Sequence, residues 1–341
     1  PRSTLFPYTT LFRSNTVLAD AADLLTTEGA QALQAQVAGQ GTVSTGTTWV
    51  VRPAAEVSGS GNLSLLGDWA LPAAAEPADA SASVRAGGLA LTLQAGGTLS
   101  LHGSLSAGFM ARAEGDSPQV WAPDDVHAGA IRLRAGGDLV IGRLTDASGV
   151  NPPQVLLRNT TGALDLRAGG DIRLAHGGAA VYTTGGLQTP PGAPDLSLFG
   201  QLLGLVETSG GLLSPYLGGG GDVTLRAGGD VVGAAGTAVL PTEWAWRGDD
   251  GSQAYRWSRY DRFGGGVASF GGGDVQVSAG GSIIDLAVAA ADSGWAPLTG
   301  AGPADELTAA TLPAGSLRLE AGADILGGNV WAAGPLAALT A

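Results

Sequence analysis

The 341 residues carry a formal charge of −13, with 17 basic residues, all of them arginine, against 30 acidic ones. So acidic a chain is a poor partner for nucleic acid or anionic lipid, and without cysteine it has neither a disulfide framework nor a thiolate site. Glycine supplies 57 residues while hydrophobic residues stay at 44%, so this is no flexible linker: the chain packs a core and needs glycine at many corners.

The opening stretch, PRSTLFPYTTLFRS, has no acidic residue and no apolar period, and it lacks the basic start, apolar run and cleavage site of a secretory signal. It is similar to the translation of a common sequencing-adapter oligonucleotide. Residues 1–14 are therefore expected to be adapter-derived, which moves the charge of the remainder to about −15. With Met110 the only methionine, the chain is expected to be a fragment of a longer gene. Residues 15–47 form a partly helical or irregular lead-in, where EGAQALQAQVAG from Glu28 has a helical composition and a glycine stop. No window approaches the ~20 unbroken apolar residues that a membrane-spanning helix needs.

From residue 48 onward the chain repeats itself. LTLQAGGTLSL begins at Leu91, IRLRAGGDLVI at Ile131, LDLRAGGDIRL at Leu164, VTLRAGGDVVG at Val223, VQVSAGGSIID at Val275 and LRLEAGADILG at Leu317. Each copy reads as strand, corner, strand: Ile131, Leu133 and Ala135 alternate with Arg132 and Arg134, and Leu139 and Ile141 resume the alternation. The intervening glycines offer positive φ, and a short acceptor follows them at Thr98, Asp138, Asp171, Asp230, Ser282 and Asp324. First glycines of successive copies are 40, 33, 59, 52 and 42 residues apart. Tight hairpin turns and regular βαβ spacing are both missing. The spacing predicts an all-β parallel β-helix over 48–341, with coils of roughly 20 residues, about two per interval, and loop excursions. About ten such coils would give a rod on the order of 50 Å. Corner carboxylates two coils apart would sit ~10 Å from one another, a tolerable repulsion at physiological salt.

The chain also resembles the filamentous haemagglutinin-like exoproteins of two-partner secretion, in their C-terminal-side domain of uncharacterised function. The resemblance is carried by RPAAEVSGSGNLSLLGDWALP from Arg52, AGGTLSLHGSLSAGF from Ala95, AVYTTG from Ala180, FGGGVASFGGGDVQVSAGGSIIDLAV from Phe263 and GSLRLEAGADILGGNVWAAGP from Gly315. It implies a right-handed parallel β-helix, export through an outer-membrane two-partner-secretion transporter, and a structural or adhesive role at the cell surface. It brings no catalytic residues. VNPP at Val150 is too slight to stand for the Asn-Pro motifs of the family's secretion domain.

Little else in the sequence carries chemistry. Absence of lysine excludes a lysine-bearing phosphate loop, and His102, His127 and His176 have no zinc-binding spacing, so neither cofactor nor metal is expected. A β-helical polysaccharide lyase or hydrolase is the alternative reading, with paired carboxylates drawn from Asp165 and Asp171 or from Asp124 and Asp125. The richest excursion is TEWAWRGDDGSQAYRWSRYDRF, Thr242 to Phe263, flanked by corner glycines at 228–229 and 271–273. Its Trp244, Trp246, Arg247, Tyr255, Trp257, Tyr260 and Phe263 are the candidate contact group for a glycan or protein receptor, and packing on the coil wall is the competing role. Arg247-Gly248-Asp249 spells an integrin-type tripeptide in an expected turn, a three-residue match of little weight. DLSLFGQLLGLVE from Asp195 is read as a small apolar helix covering a coil.

Overall fold

The computed structural model describes residues 49–51, 54–71, 84–112, 120–123, 127–143, 154–188, 216–234, 240–249, 253–297 and 310–341. The adapter-like stretch, the lead-in helix, the Asp195 helix and the Asp124-Asp125 pair lie outside them.

Three parallel sheets run the length of a right-handed β-helix. The first has eight strands: Ala54–Gly59, Ala90–Ala95, Ile131–Ala135, Leu164–Ala168, Val223–Ala227, Val275–Ala279, Leu317–Ala321 and Leu336–Thr340. The second runs from Leu63–Leu65 to Ile325–Leu326 and the third from Trp69–Leu71 to Asn329–Ala332, each with seven strands. Each motif copy therefore builds one coil, not two: Leu91 pairs directly with Ile131, Ile131 with Leu164, and Leu164 with Val223. Seven coils and an eighth strand at ~4.8 Å make a stack of about 34 Å, shorter than the coil count from spacing implied. Excursions absorb the extra residues of each interval.

Inside, like stacks on like. Leu91, Ile131, Leu164, Val223, Val275 and Leu317 form one column, all at most 1% exposed, and Leu93, Leu133, Leu166, Leu225, Val277 and Leu319 form the next. The half-buried alternation legible in Ile131–Ala135 holds on the first sheet throughout the middle coils. Its polar members are outside and its aliphatic members line a continuous core.

The corner between the first and second sheets explains the AGG motif differently from the sequence. Its glycines do not have positive φ; that conformation belongs to Gly108, Gly142, Gly185, Gly219, Gly265, Gly272, Gly327 and Gly328, away from this corner. What the first glycine supplies is close approach. A Cβ on Gly136 would overlap the carbonyl oxygen of Gly96, one on Gly169 that of Gly136, and one on Gly228 that of Gly169. A side chain at these positions would wedge successive coils apart.

The short acceptors beside the glycines lie on adjacent coils, so the corner carboxylates are ~5 Å apart rather than ~10 Å. A ladder of hydrogen bonds offsets the repulsion. The Asp171 amide donates to Asp138 Oδ1 (2.9 Å), the Asp230 amide to Asp171 Oδ1 (2.8 Å) and the Ser282 amide to Asp230 Oδ1 (2.7 Å). Asn62 begins the same ladder by accepting from the Thr98 amide (2.9 Å). Other strand entries repeat the device: Asp68 accepts from the Ser104 amide, Asp222 from Asp274 and Asp274 from Ser316.

Substitutions at this corner should separate the two roles. Gly136→Ala and Gly169→Ala are expected to cost about 1–3 kcal/mol in thermal unfolding, because the obstructing atom is backbone and cannot give way. Gly170→Ala should also destabilise, since its Cβ would displace Asp138 Oδ1 from the Asp171 amide. Gly137→Ala should be nearly neutral, because its nearest neighbour lies at 3.4 Å, above Thr98 instead of a carboxylate. Equal losses at all four positions would contradict the close-approach account.

Candidate functional site

The Thr242–Phe263 excursion leaves the solenoid between the second and third strands of the fifth coil. It begins with a four-residue helix, Pro241–Trp244, continues as the hairpin Ala245–Asp249 and Gln253–Ser258, and returns through the 3-10 turn Tyr260–Arg262. The hairpin does not stand alone. Ser293–Pro297 and Ala310–Leu312, from the excursion after the sixth coil, extend it into a four-stranded antiparallel sheet. Arg256 and the buried Asp292 join the two excursions at 3.4 Å, and Ser293 Oγ accepts from the Leu217 amide (3.2 Å).

Part of the aromatic group is structural cover. Trp244 and Phe263 are 2% and 1% exposed and meet edge to face at 5.7 Å. Together with Phe270 they lie over the outer side of the third sheet, where Tyr182 contacts Phe263 (6.3 Å) and Phe270 (5.7 Å) and Trp244 reaches Trp331 (5.8 Å). Tyr260 packs partly buried against the same cluster. The middle strands of the third sheet are consequently covered on both faces, and Val155–Asn159 and Ala179–Thr183 are buried at every residue. Small outward residues, Ala180, Ala268 and Ala289, leave room for the rings.

The rest of the group lies on the side sheet. Trp246 pairs with Trp257, and Tyr255 with Trp295. Trp295 was not among the expected contact residues, because it comes from a different excursion and joins the others only through antiparallel pairing. Arg247-Gly248-Asp249 lies within a strand, not in the expected turn. The flanking glycines are also further out than they need be: strands Val231–Val232 and Gly266–Ser269 fall between them, so the excursion proper runs from Gly233 to Gly265.

Of the carboxylates in the enzyme reading, Asp165 and Asp171 are described, and both are engaged with other partners. Asp165 lies on the outside of the first sheet, where Arg134 Nη2 and Arg167 Nε each donate to it at 3.0 Å. Asp171 lies at the corner, bound by Arg173 and by the Asp230 amide. That amide first, and Arg173 after it, hold its carboxyl below the usual range, so Asp171 is unsuited to carry a proton as a general acid. His176 accepts from the Gly178 amide through Nδ1 (3.0 Å), and burial lowers its pKa. No group of three or more potential ligands assembles a metal site among the described residues. No helix among them is long and apolar enough to cross a membrane.

Comparison with protein-family models, with curated proteins and with solved structures returns no match.

Two predictions follow from the packing and the protonation states. Trp244→Ala or Phe263→Ala should cost about 3–5 kcal/mol in thermal or denaturant unfolding, as for other buried aromatics. Stability should also decline in two acid steps. His176 has its folded pKa below the unfolded 6.5, so its contribution is complete above that pH and is lost as pH falls below 6.5 and through the lower folded pKa. Asp171 has its folded pKa below 3.8, so its contribution disappears only under more acidic conditions. In melts across pH, His176→Asn should remove the first step and Asp171→Asn the second.

Proposed function

We propose that this chain is a rigid, non-enzymatic segment of a large secreted or surface-exposed adhesive protein of the filamentous haemagglutinin kind. The observation that carries the reading is the side sheet: a solenoid otherwise built from short, repetitive coils holds two long excursions together, and their register pairs Trp246 with Trp257 and Tyr255 with Trp295. Tyrosine and tryptophan bring large contact area at low entropic cost, which suits them to stack on sugar rings or to anchor a protein. Export through an outer-membrane two-partner-secretion transporter fits a chain without cysteine, whose coils each pair only with their neighbours and can form one after another as they emerge. The partner is a glycan or protein receptor on a host or neighbouring cell, and the segment works outside the cell.

Because Trp244 and Phe263 support the third sheet, deleting the whole excursion would confuse binding with folding. A cleaner test replaces Trp246 and Trp257 with serine. Cell or glycan-array binding is expected to be lost while the strand-rich circular dichroism spectrum is retained. Undiminished binding by this double variant would place adhesion elsewhere.

A further inference from the structure

The outer face of the first sheet presents two columns of side chains. One reads Thr92, Arg132, Asp165, Thr224 and Gln276, and the other Gln94, Arg134, Arg167, Arg226 and Ser278, from the second to the sixth coil. Three arginines thus occupy directly paired positions on consecutive strands, about 4.8 Å apart, where like charges oppose pairing. A single carboxylate, Asp165, answers them, bridging Arg134 and Arg167. Arg132 and Arg226 are exposed and have no ion pair or hydrogen bond among the described residues. Further along, Arg318 is matched by Glu320. On a chain of net charge −13, unmatched positive charge is concentrated on the middle of one wall.

We propose that this wall binds a linear, carboxylate-bearing polysaccharide lying along the solenoid axis, with Arg132 and Arg226 as its principal contacts. Asp165 supplies the template for guanidinium–carboxylate pairing on this wall, and successive carboxylates of the ligand repeat that pairing separately at Arg132 and, two coils further on, at Arg226. The flanking Thr92, Gln94, Thr224, Gln276 and Ser278 offer donors and acceptors to sugar hydroxyls. An acidic peptide fits less well. Peptides are held through main-chain bonds at a sheet edge or through side-chain pockets, and in these coils the wall is an interior sheet face whose columns are polar throughout.

The site involves other residues than the side sheet, so either can fail without the other. The test is retention of the full chain on immobilised polygalacturonate against a neutral glucan, eluted with rising salt. Retention at low salt, lost as ions screen the arginines, is expected. Replacing Arg132 and Arg226 with glutamine should weaken binding about tenfold, the scale of two exposed charge pairs, with melting unchanged or raised. Arg318→Gln should bind as the parent does, and Trp246→Ser with Trp257→Ser should leave retention intact. Asp165→Asn, which releases Arg134 and Arg167 from their internal carboxylate, should strengthen retention about threefold. Absence of low-salt retention, indifference to the double arginine substitution, weaker binding by Asp165→Asn, or equal competition by polyglutamate would each overturn the proposal.

Discussion

Everything in this solenoid depends on how closely one coil can lie on the next. In-register parallel pairing brings backbones to about 4.8 Å, and at the corner between the first and second sheets the chain turns so tightly that a Cβ has no place. Gly136 sits on the carbonyl of Gly96, Gly169 on that of Gly136 and Gly228 on that of Gly169. Alanine precedes each of these glycines in the five copies from Leu91 to Val275, where the walls converge. Once that contact is fixed, register is fixed too, because a one-residue slip would turn the aliphatic columns outward.

The same proximity makes the corner acceptors necessary. Amides at strand entry that belong to neither sheet's regular ladder need partners, and the carboxylate of the preceding coil is within reach. Asp138, Asp171 and Asp230 thereby exchange mutual repulsion for backbone hydrogen bonds, and Arg173 adds a countercharge at the centre of the row. At the corner leading back to the first sheet, interior polar side chains do equivalent work. Asn159 donates to the Gly129 carbonyl (2.8 Å) and Thr183 to that of Gly221 (2.6 Å), so these buried groups are satisfied within an otherwise aliphatic core.

The repeat copies were legible because period-two alternation survives wherever one face of a strand is solvent and the other is core, as in Ile131–Ala135. The third sheet lacks that signal. Ala179–Thr183 and Ala287–Ala290 are buried on both faces, and their unbroken apolar runs hide which residues point inward. Coil number is hidden in the sequence for a related reason: the spacing between motifs reports coil and excursion together, and only the pairing of Leu91 with Ile131 separates them. The first coil carries GSGN in place of AGGD, with Asn62 in the acceptor role, and so escapes a search for the motif. Trp244 and Trp246 are two residues apart in one aromatic string, yet only the structure distinguishes cover from sheet, since the division falls at the end of a four-residue helix.

Where the excursions leave the wall is read from the length of each corner. In all seven coils three residues separate the first strand from the second, from Gly59 and Leu63 at one end to Ala321 and Ile325 at the other. Every long insertion leaves instead from the corners on either side of the third sheet. Glycine-to-carbonyl contact and the carboxylate ladder recur at the entry to the first sheet, at Gly162, Gly221, Gly273 and Gly315 and at Asp222 and Asp274, so what sets the first corner apart is its constant length; positive-φ glycines, Gly142, Gly185 and Gly265 among them, lie at the other corners. The first and second sheets therefore keep a bare, periodic wall. The third acquires a second core and a side sheet. The constant three-residue corner thus divides the surface into a repetitive face, where every coil has the same length, and an elaborated face that carries the excursions.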